Sequence, residues 1–93
     1  MMKLKVPAPV AETIRGLHPD IKKKIRAGLE AILKDPKAGK VLKQELSGLR
    51  SFRVGRYRIV YKFEGRAALE IVAVGPRKVI YTETYLLLRK SKG

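Results

Sequence analysis

The sequence predicts an α+β fold in which a helical hairpin packs on one face of an antiparallel sheet. Apolar residues recur at helical spacing between residues 10 and 33, and from residue 49 onward the period changes to two. A chain of 93 residues with 45% hydrophobic content can bury one modest core, so we expect residues 1–93 to form a single domain.

The N-terminal part of the chain predicts a short strand and two helices. Residues 3–6 alternate lysine with apolar side chains before Pro7, which is typical of a short strand at a sheet edge. A short helix is then expected from Pro9, with its apolar side formed by Val10, Ile14 and Leu17. We expect His18 to be a turn or cap residue before a longer helix, which ends at Asp35 and Pro36. The apolar stripe of that helix consists of Ile21, Ile25, Leu29, Ile32 and Leu33.

The remaining chain predicts a three-stranded antiparallel meander and a C-terminal segment. If Gly55 and Arg56 form a two-residue turn, Arg53 faces Arg58 across the first hairpin. One face then carries Phe52, Val54, Tyr57, Ile59 and Tyr61, and the other carries Arg53, Arg58, Val60 and Lys62. A three-residue loop at 64–66 would pair Tyr61 with Leu69 and Ile59 with Ile71. The last strand is expected over residues 67–74, with Leu69, Ile71 and Ala73 inward, and a helix over residues 82–90.

Charge is the strongest compositional feature. Lys and Arg number 22 against eight Asp and Glu, which gives a net charge of +14 spread along the whole chain. A surface of this kind attracts polyanions such as nucleic acid or acidic protein, although a merely solvated basic surface remains an alternative.

Several classes of function are excluded by what the sequence lacks. It has no cysteine, no spacing of carboxylates typical of a metal site, and no phosphate-binding glycine loop. We therefore expect no metal and no small-molecule cofactor. The sequence also shows no apolar run long enough to span a membrane and no secretory signal, so a cytoplasmic protein without membrane contact is expected.

The candidate functional residues are arginines and a tyrosine. Like charges placed opposite each other on paired strands are destabilising, so Arg53 and Arg58 indicate a bound anion, unless both side chains simply extend into solvent. Arg77 follows the last predicted strand and Tyr81 lies four residues later, which favours the same polar face; the alternatives are a surface charge and a partly buried aromatic side chain. Such a set can stabilise a pentavalent phosphate, and it fits RNA because the neighbouring 2′-OH supplies the nucleophile.

These patterns together resemble the RelE/ParE toxin superfamily. The resemblance is carried by L-S-G-L at residues 46–49, F-R-V-G-R-Y-R-I-V-Y at 52–61 and V-G-P-R-K-V-I-Y at 74–81, and by the order strand, helical hairpin, meander. It covers nearly the whole chain. It implies a RelE-like toxin of a type II toxin-antitoxin system that cleaves ribosome-bound mRNA without a metal.

The resemblance also implies roles for individual residues. Arg58 would stabilise the transition-state phosphate, Arg53 would hold or activate the nucleophile, Arg77 would bind phosphate and Tyr81 would stack on or orient the base. Further RNA contacts are expected from Arg50, Ser51, Arg56, Lys62 and Lys78. The implied partners are the ribosome, mRNA and an acidic cognate antitoxin, whose charge would speed its association with this basic chain.

The sequence departs from the superfamily pattern at two positions. Ser51 stands where lysine-using members carry a basic residue, and Pro76 stands where histidine-using members place a general base. The general base therefore stays unassigned, and two alternatives stay open. One is a ParE-like toxin that inhibits DNA gyrase by protein contact without catalysis, and the other is a basic nucleic-acid-binding module that does not cleave.

Overall fold

The computed structural model describes residues 2–78 and 80–92, and of residues 83, 87 and 90–92 it describes the backbone alone. The bounds of its elements are β1 Lys3–Lys5, α1 Ala8–Arg15, α2 Pro19–Lys34, β2 Lys40–Val41, β3 Arg50–Val54, β4 Tyr57–Glu64, β5 Ala68–Pro76 and α3 Ile80–Lys92, with a turn of 3-10 helix at Gln44–Leu46. No helix in these ranges is both long and apolar enough to cross a membrane.

The strands form one five-stranded sheet in the order β1-β5-β4-β3-β2. β1 lies at one edge and runs parallel to β5, while the other neighbouring strands are antiparallel. The predicted α+β class, the edge strand and the meander are therefore confirmed. The sequence did not indicate β2, because a strand of two residues shows no period.

The helical hairpin forms as predicted, and its corner is fixed by His18. This residue is the N-cap of α2, and its Nδ1 accepts a hydrogen bond of 3.2 Å from the backbone N–H of Asp20. The cap satisfies one of the free N–H groups of the first helical turn. His18 is thus a cap residue, as the sequence predicts.

The hairpin covers one face of the sheet and forms the main core. The apolar stripe of α2 packs there, with Ile25 and Ile32 at 0% exposure, against Ile59, Tyr61 and Leu69 of the sheet. The predicted inward residues of β3 and β4 all belong to this cluster; they are Phe52, Val54, Tyr57, Ile59 and Tyr61. We call this side of the sheet the hairpin face.

The predicted register between the last two strands is wrong. Glu64 faces Ala68, so the loop consists of residues 65–67, and Tyr61 faces Ile71 instead of Leu69. The predicted and observed pairings in this part differ by two residues, which leaves each side chain on the same face. The apolar pattern therefore does not distinguish them.

An irregularity in β5 overturns a second expectation. Tyr61 faces Ile71 while its neighbour Val60 faces Ala73, so the pairing skips Val72 in the manner of a β-bulge. Beyond the extra residue the side chains exchange faces. Val74 lies in the hairpin-face core, whereas Ala73, which was predicted to point inward there, packs on the opposite face.

α3 packs on that opposite face, which we call the open face. The predicted C-terminal helix is confirmed, but it begins at Ile80, two residues before the predicted start at residue 82. Ile80 is fully buried and forms a second, smaller core with Leu49, Val60 and Ala73. This contact places the first turn of α3 over the middle of the sheet and positions Tyr81 there.

Candidate nucleic-acid interface

Two arginines lie opposite each other on the open face. Arg53 of β3 pairs with Arg58 of β4 in the register that the two-residue turn predicts, so this prediction is confirmed. Arg53 is exposed and Arg58 is half-buried. Their placement concentrates positive charge at a point where sheet stability alone would favour an opposite-charge pair.

Hydrogen bonds draw the two guanidinium groups toward different acceptors. Arg58 Nη1–H donates to the Ser51 hydroxyl oxygen over 3.3 Å, and Arg53 Nε–H donates to the Gly55 carbonyl over 3.3 Å. Ser51 is diagonal to Arg58 on the same face, since Ser51 itself pairs with Val60. Each arginine therefore has an acceptor of its own, and this arrangement reduces their mutual repulsion.

Tyr81 joins the same group from α3. Its hydroxyl donates to Ser51 Oγ over 3.1 Å, and Arg58 Cζ lies 6.0 Å from the centre of the Tyr81 ring. This distance is at the limit of a cation–π contact. The structure thus brings together two predicted catalytic residues, Arg58 and Tyr81, around a serine at 1% exposure. We refer to Ser51, Arg53, Arg58 and Tyr81 as the arginine cluster.

Arg58 keeps hydrogen-bonding capacity that the protein does not use. Among the described residues, its Nε is the buried side-chain nitrogen that has no hydrogen-bond partner. A guanidinium group carries five N–H donors, and a buried donor without an acceptor raises the free energy of the folded state. Because the Nε is shielded from solvent, an anionic ligand would bind the remaining N–H groups of this guanidinium, whose planar fork suits several acceptor oxygens.

Arg56, Arg77 and Lys78 lie at the end of the sheet beside the cluster. Arg77 N–H donates to the Arg56 carbonyl over 2.9 Å, which ties the chain after β5 to the turn between β3 and β4. All three side chains are exposed. Gly75, two residues before Arg77, faces Arg58 across β4 and β5. These charges therefore extend the basic region from the arginine cluster toward the solvent.

Arg50 and Lys62 lie apart from the cluster. Arg50 is on the hairpin face, where Nη1–H donates to the carbonyls of Lys37 and Gly39 over 3.2 and 3.0 Å and Cζ lies 5.7 Å from the Phe63 ring centre. Lys62 is on the open face, opposite Glu70 and four positions beyond Arg58 along β4. The structure does not bring these predicted RNA-binding residues together with Arg58.

A groove of about 730 Å³ lies along β5. Its walls come from the start of α1, the segment after the 3-10 helix, β5 and Leu88 of α3. Most of its lining is apolar, and its charged residues are Lys62, Glu45 and Glu70. The groove and the arginine cluster are separate features, since none of the four cluster residues lines it.

In residues 2–78 and 80–92, no group of three or more His, Asp or Glu side chains is arranged to hold a metal ion.

Most residues of the arginine cluster could be predicted from the sequence, but the hydrogen bonds that join Ser51 to Arg58 and Tyr81 could not. The turn at Gly55 and Arg56 fixed the register, and that register already places Ser51 on the open face beside Arg58. The contact between Ser51 and Tyr81 depends on where α3 packs. No local pattern in the sequence carries that information.

The chain matches the model of one protein family over most of its length. Residues 12–81 match the family described as ParE toxin of the type II toxin-antitoxin system, parDE. No curated protein matches the chain significantly in sequence.

Solved structures of similar fold come from toxins and their complexes. The RelBE toxin-antitoxin complex from Mycobacterium tuberculosis contains a chain with a TM-score of 0.73 and 24% identity, with 82% of this chain and 98% of that chain covered. A double mutant of the E. coli toxin RelE in the free state has a TM-score of 0.72 and 16% sequence identity, and the match covers 90% of each chain. The YoeB-YefM complex from Staphylococcus aureus contains a chain with a TM-score of 0.63 and 22% sequence identity. The match covers 80% of this chain and 94% of that chain. At these identities the likeness shows the fold alone.

Proposed function

Because the chain belongs to the ParE toxin family of type II toxin-antitoxin systems, within the RelE/ParE superfamily, we propose that it is a toxin that cleaves mRNA on the ribosome without a metal. The observation that carries the proposal is the arginine cluster, in which Arg58 lies opposite Arg53 and against the Tyr81 ring. A toxin that acts only by binding gyrase needs no cluster of phosphate contacts, whereas two like charges opposite each other on paired strands destabilise the sheet unless an anion is bound.

The proposed cleavage step takes its nucleophile from the RNA and its charge stabilisation from the arginine side chains. The 2′-OH of the bound RNA attacks the adjacent phosphorus and loses its proton to solvent water, the P–O5′ bond breaks, and the leaving 5′-oxygen takes up a proton from water, so that a 2′,3′-cyclic phosphate and a 5′-OH result. Arginine stays protonated throughout, so Arg58 stabilises the extra negative charge of the pentavalent phosphate. Arg53 holds the nucleophilic end, Arg77 binds phosphate and assists the leaving group, and Tyr81 stacks on or orients the base.

The outer basic residues contribute affinity. Exposed Arg56 and Lys78 lie where the RNA backbone would leave the cluster, and Lys62 extends the open face in the other direction. Arg50 can contact RNA only if the RNA passes around the edge of the sheet to the hairpin face, because its guanidinium group lies on that face. The reaction takes place in the cytoplasm, where the ribosomes are.

An acidic antitoxin is the proposed regulatory partner. The basic surface gives long-range attraction, and the groove beside α3 offers apolar contact area for a helical or extended segment. The structures of similar fold include RelE-RelB and YoeB-YefM complexes, which supports a partner of this kind.

One alternative is favoured by a specific observation. The matching family model describes ParE toxins, and a ParE-like toxin would inhibit DNA gyrase through protein contact without catalysis. In that case the arginine cluster would be dispensable for inhibition. A non-cleaving nucleic-acid binder, which the net charge of +14 also permits, would show affinity without cuts.

The proposal is tested by mapping mRNA 5′ ends on programmed ribosomes by primer extension. Wild type is compared with Arg58→Ala, Arg77→Ala and, as a matched charge control on α2, Lys23→Ala. We expect new cuts with wild type and Lys23→Ala only when ribosomes are present. Each lost transition-state donor should lower the cleavage rate by about 100-fold or more. An absence of cuts, together with inhibition of gyrase supercoiling, would assign the chain to the ParE mode.

A further inference from the structure

We infer that Ser51 is the positioning residue of the arginine cluster, acting on RNA through Arg58 and Tyr81 instead of contacting it. The inference rests on the proposed function and adds a residue role to it. The side chain of Ser51 is fully enclosed, with 1% of the residue exposed, so RNA has no access to its hydroxyl in this structure. That hydroxyl nevertheless contacts two residues assigned to the chemistry.

The backbone of Ser51 is held from both sides. It pairs with Val60 of β4 and with Lys40 of β2, so the short β2 strand makes β3 an interior strand of the sheet. An interior strand position fixes the direction of its Cβ through the pleat. The hydroxyl is therefore attached to one of the most constrained points of the open face.

A single hydroxyl oxygen forms hydrogen bonds with both neighbours. It offers two lone pairs, and it accepts one hydrogen bond from Arg58 Nη1 and one from the Tyr81 hydroxyl. Arg58 and Tyr81 come from different elements, β4 and α3, and Ser51 is where their polar groups meet. Fixing both side chains before RNA arrives lowers the conformational entropy lost on binding and aligns the guanidinium group for the developing charge.

Arg53 faces Arg58 across the strand pair, and its like charge makes the hydrogen bond from Arg58 to Ser51 necessary. Without the Ser51 acceptor, Arg58 keeps its contact with the Tyr81 ring but has no hydrogen bond to hold it away from Arg53 across the strand pair. Free rotamers of a long cationic side chain then compete with the productive one. Removal of the hydroxyl should thus impair the chemical step even though Ser51 touches no reacting atom.

The kinetic test compares Ser51→Ala with Ser51→Thr and Val60→Ala on programmed ribosomes. Ser51→Ala should lower the cleavage rate by about 10- to 100-fold, the equivalent of lost hydrogen bonds to a charged group and a hydroxyl. Threonine keeps the acceptor and should restore most of the rate. Val60→Ala removes buried volume opposite Ser51 without removing the acceptor, so it should lower thermal stability more than the rate.

A double-mutant cycle separates positioning from stability. If Ser51 acts through Arg58 and Tyr81, Ser51→Ala should cost little further activity in a background of Tyr81→Phe with Arg58→Lys. Full additivity of the losses, or equal loss of rate in Ser51→Thr and Ser51→Ala, would overturn the inference.

A measurement without RNA keeps the inference distinct from the proposed function. The {1H}-15N NOE of the Arg58 Nε–H signal reports the motion of this side chain, and the signal is identified by its loss in Arg58→Lys. We expect a high NOE in wild type, Ser51→Thr and Val60→Ala, and a marked fall in Ser51→Ala. An unchanged NOE in Ser51→Ala would refute positioning. If the NOE falls in Ser51→Ala while the wild-type protein cuts no mRNA on the ribosome, the ribonuclease proposal is refuted and the positioning of Arg58 by Ser51 is retained.

Discussion

Tyr61 holds the segment before β2 against the sheet through one hydroxyl group. The residue is fully buried; its O–H donates to the Pro36 carbonyl over 2.7 Å and its oxygen accepts from Gly39 N–H over 2.9 Å. A Cβ on Gly39 would lie 2.5 Å from that oxygen, so only glycine allows this approach. Burial raises the pKa of Tyr61 above its ordinary value, and the Gly39 hydrogen bond partly opposes the rise.

The raised pKa of Tyr61 predicts a loss of stability at alkaline pH. The neutral phenol is favoured in the folded chain, so its contribution is complete below the unfolded pKa of about 10 and is lost as pH rises through the higher folded pKa. Urea unfolding between about pH 8 and 11 should show a steeper fall for wild type than for Tyr61→Phe. Tyr85→Phe, at an exposed residue, should retain the wild-type slope. Parallel slopes for wild type and Tyr61→Phe would contradict this.

The arginine cluster shows which residue-level features the sequence can predict. The pairing of Arg53 with Arg58 follows from a local cause, the two-residue turn that begins with Gly55 at φ +59. The contacts of Ser51 with Tyr81 join residues 30 positions apart. They depend on the burial of Ile80, which is a property of the folded sheet.

Gly28 decides how closely α2 approaches the sheet. A Cβ at this position would lie 2.7 Å from Val54 Cγ2 and 3.1 Å from Ile59 Cδ1. Both neighbours are β-branched, and Ile59 is fully buried, so they have little freedom to move aside. The glycine weakens the helix intrinsically but permits the close packing of the hairpin face.

We therefore expect Gly28→Ala to destabilise the protein despite the better helix propensity of alanine. Overpacking should lower the free energy of unfolding by about 1–3 kcal/mol. Gly16→Ala is the matched control, because a Cβ there lies 3.7 Å from its nearest neighbours, and it should be neutral or stabilising. Chemical denaturation of both variants measures the difference. A more stable Gly28→Ala would mean that α2 can move away from β3 without cost.

The accuracy of the sequence-based fold differs between elements for physical reasons. α2 has a long apolar stripe, a cap at His18 and a stop at Asp35, and its predicted bounds were close to those observed. The hairpin of β4 and β5 admits two pairings that keep the same faces, and the extra residue Val72 reverses the alternation partway along β5. A period of two identifies a strand, but it contains no information on where an extra residue is accommodated.

The net charge of the whole molecule predicts a strong salt dependence of RNA binding. The net charge is +14 on 93 residues, so affinity for a short single-stranded RNA should fall steeply between about 50 and 200 mM salt. Binding releases counterions from the RNA, and this release becomes less favourable as the salt concentration rises. Fluorescence anisotropy titrations measure this. Arg53→Ala with Arg58→Ala should reduce the slope of log K against log salt by about 1.4 if both arginines contact phosphates. Lys23→Ala with Lys24→Ala, on α2, should leave it unchanged; equal reductions would indicate diffuse binding.

The attack of a 2′-OH on its neighbouring phosphate is the central claim for the whole molecule. The most direct test uses ribosome-bound mRNA with a single 2′-deoxynucleotide on the 5′ side of a mapped cut. The cut should disappear at that site, and it should persist when the deoxynucleotide is placed one position upstream. Undiminished cleavage at the substituted nucleotide would contradict the account, because the nucleophile would then have to come from elsewhere.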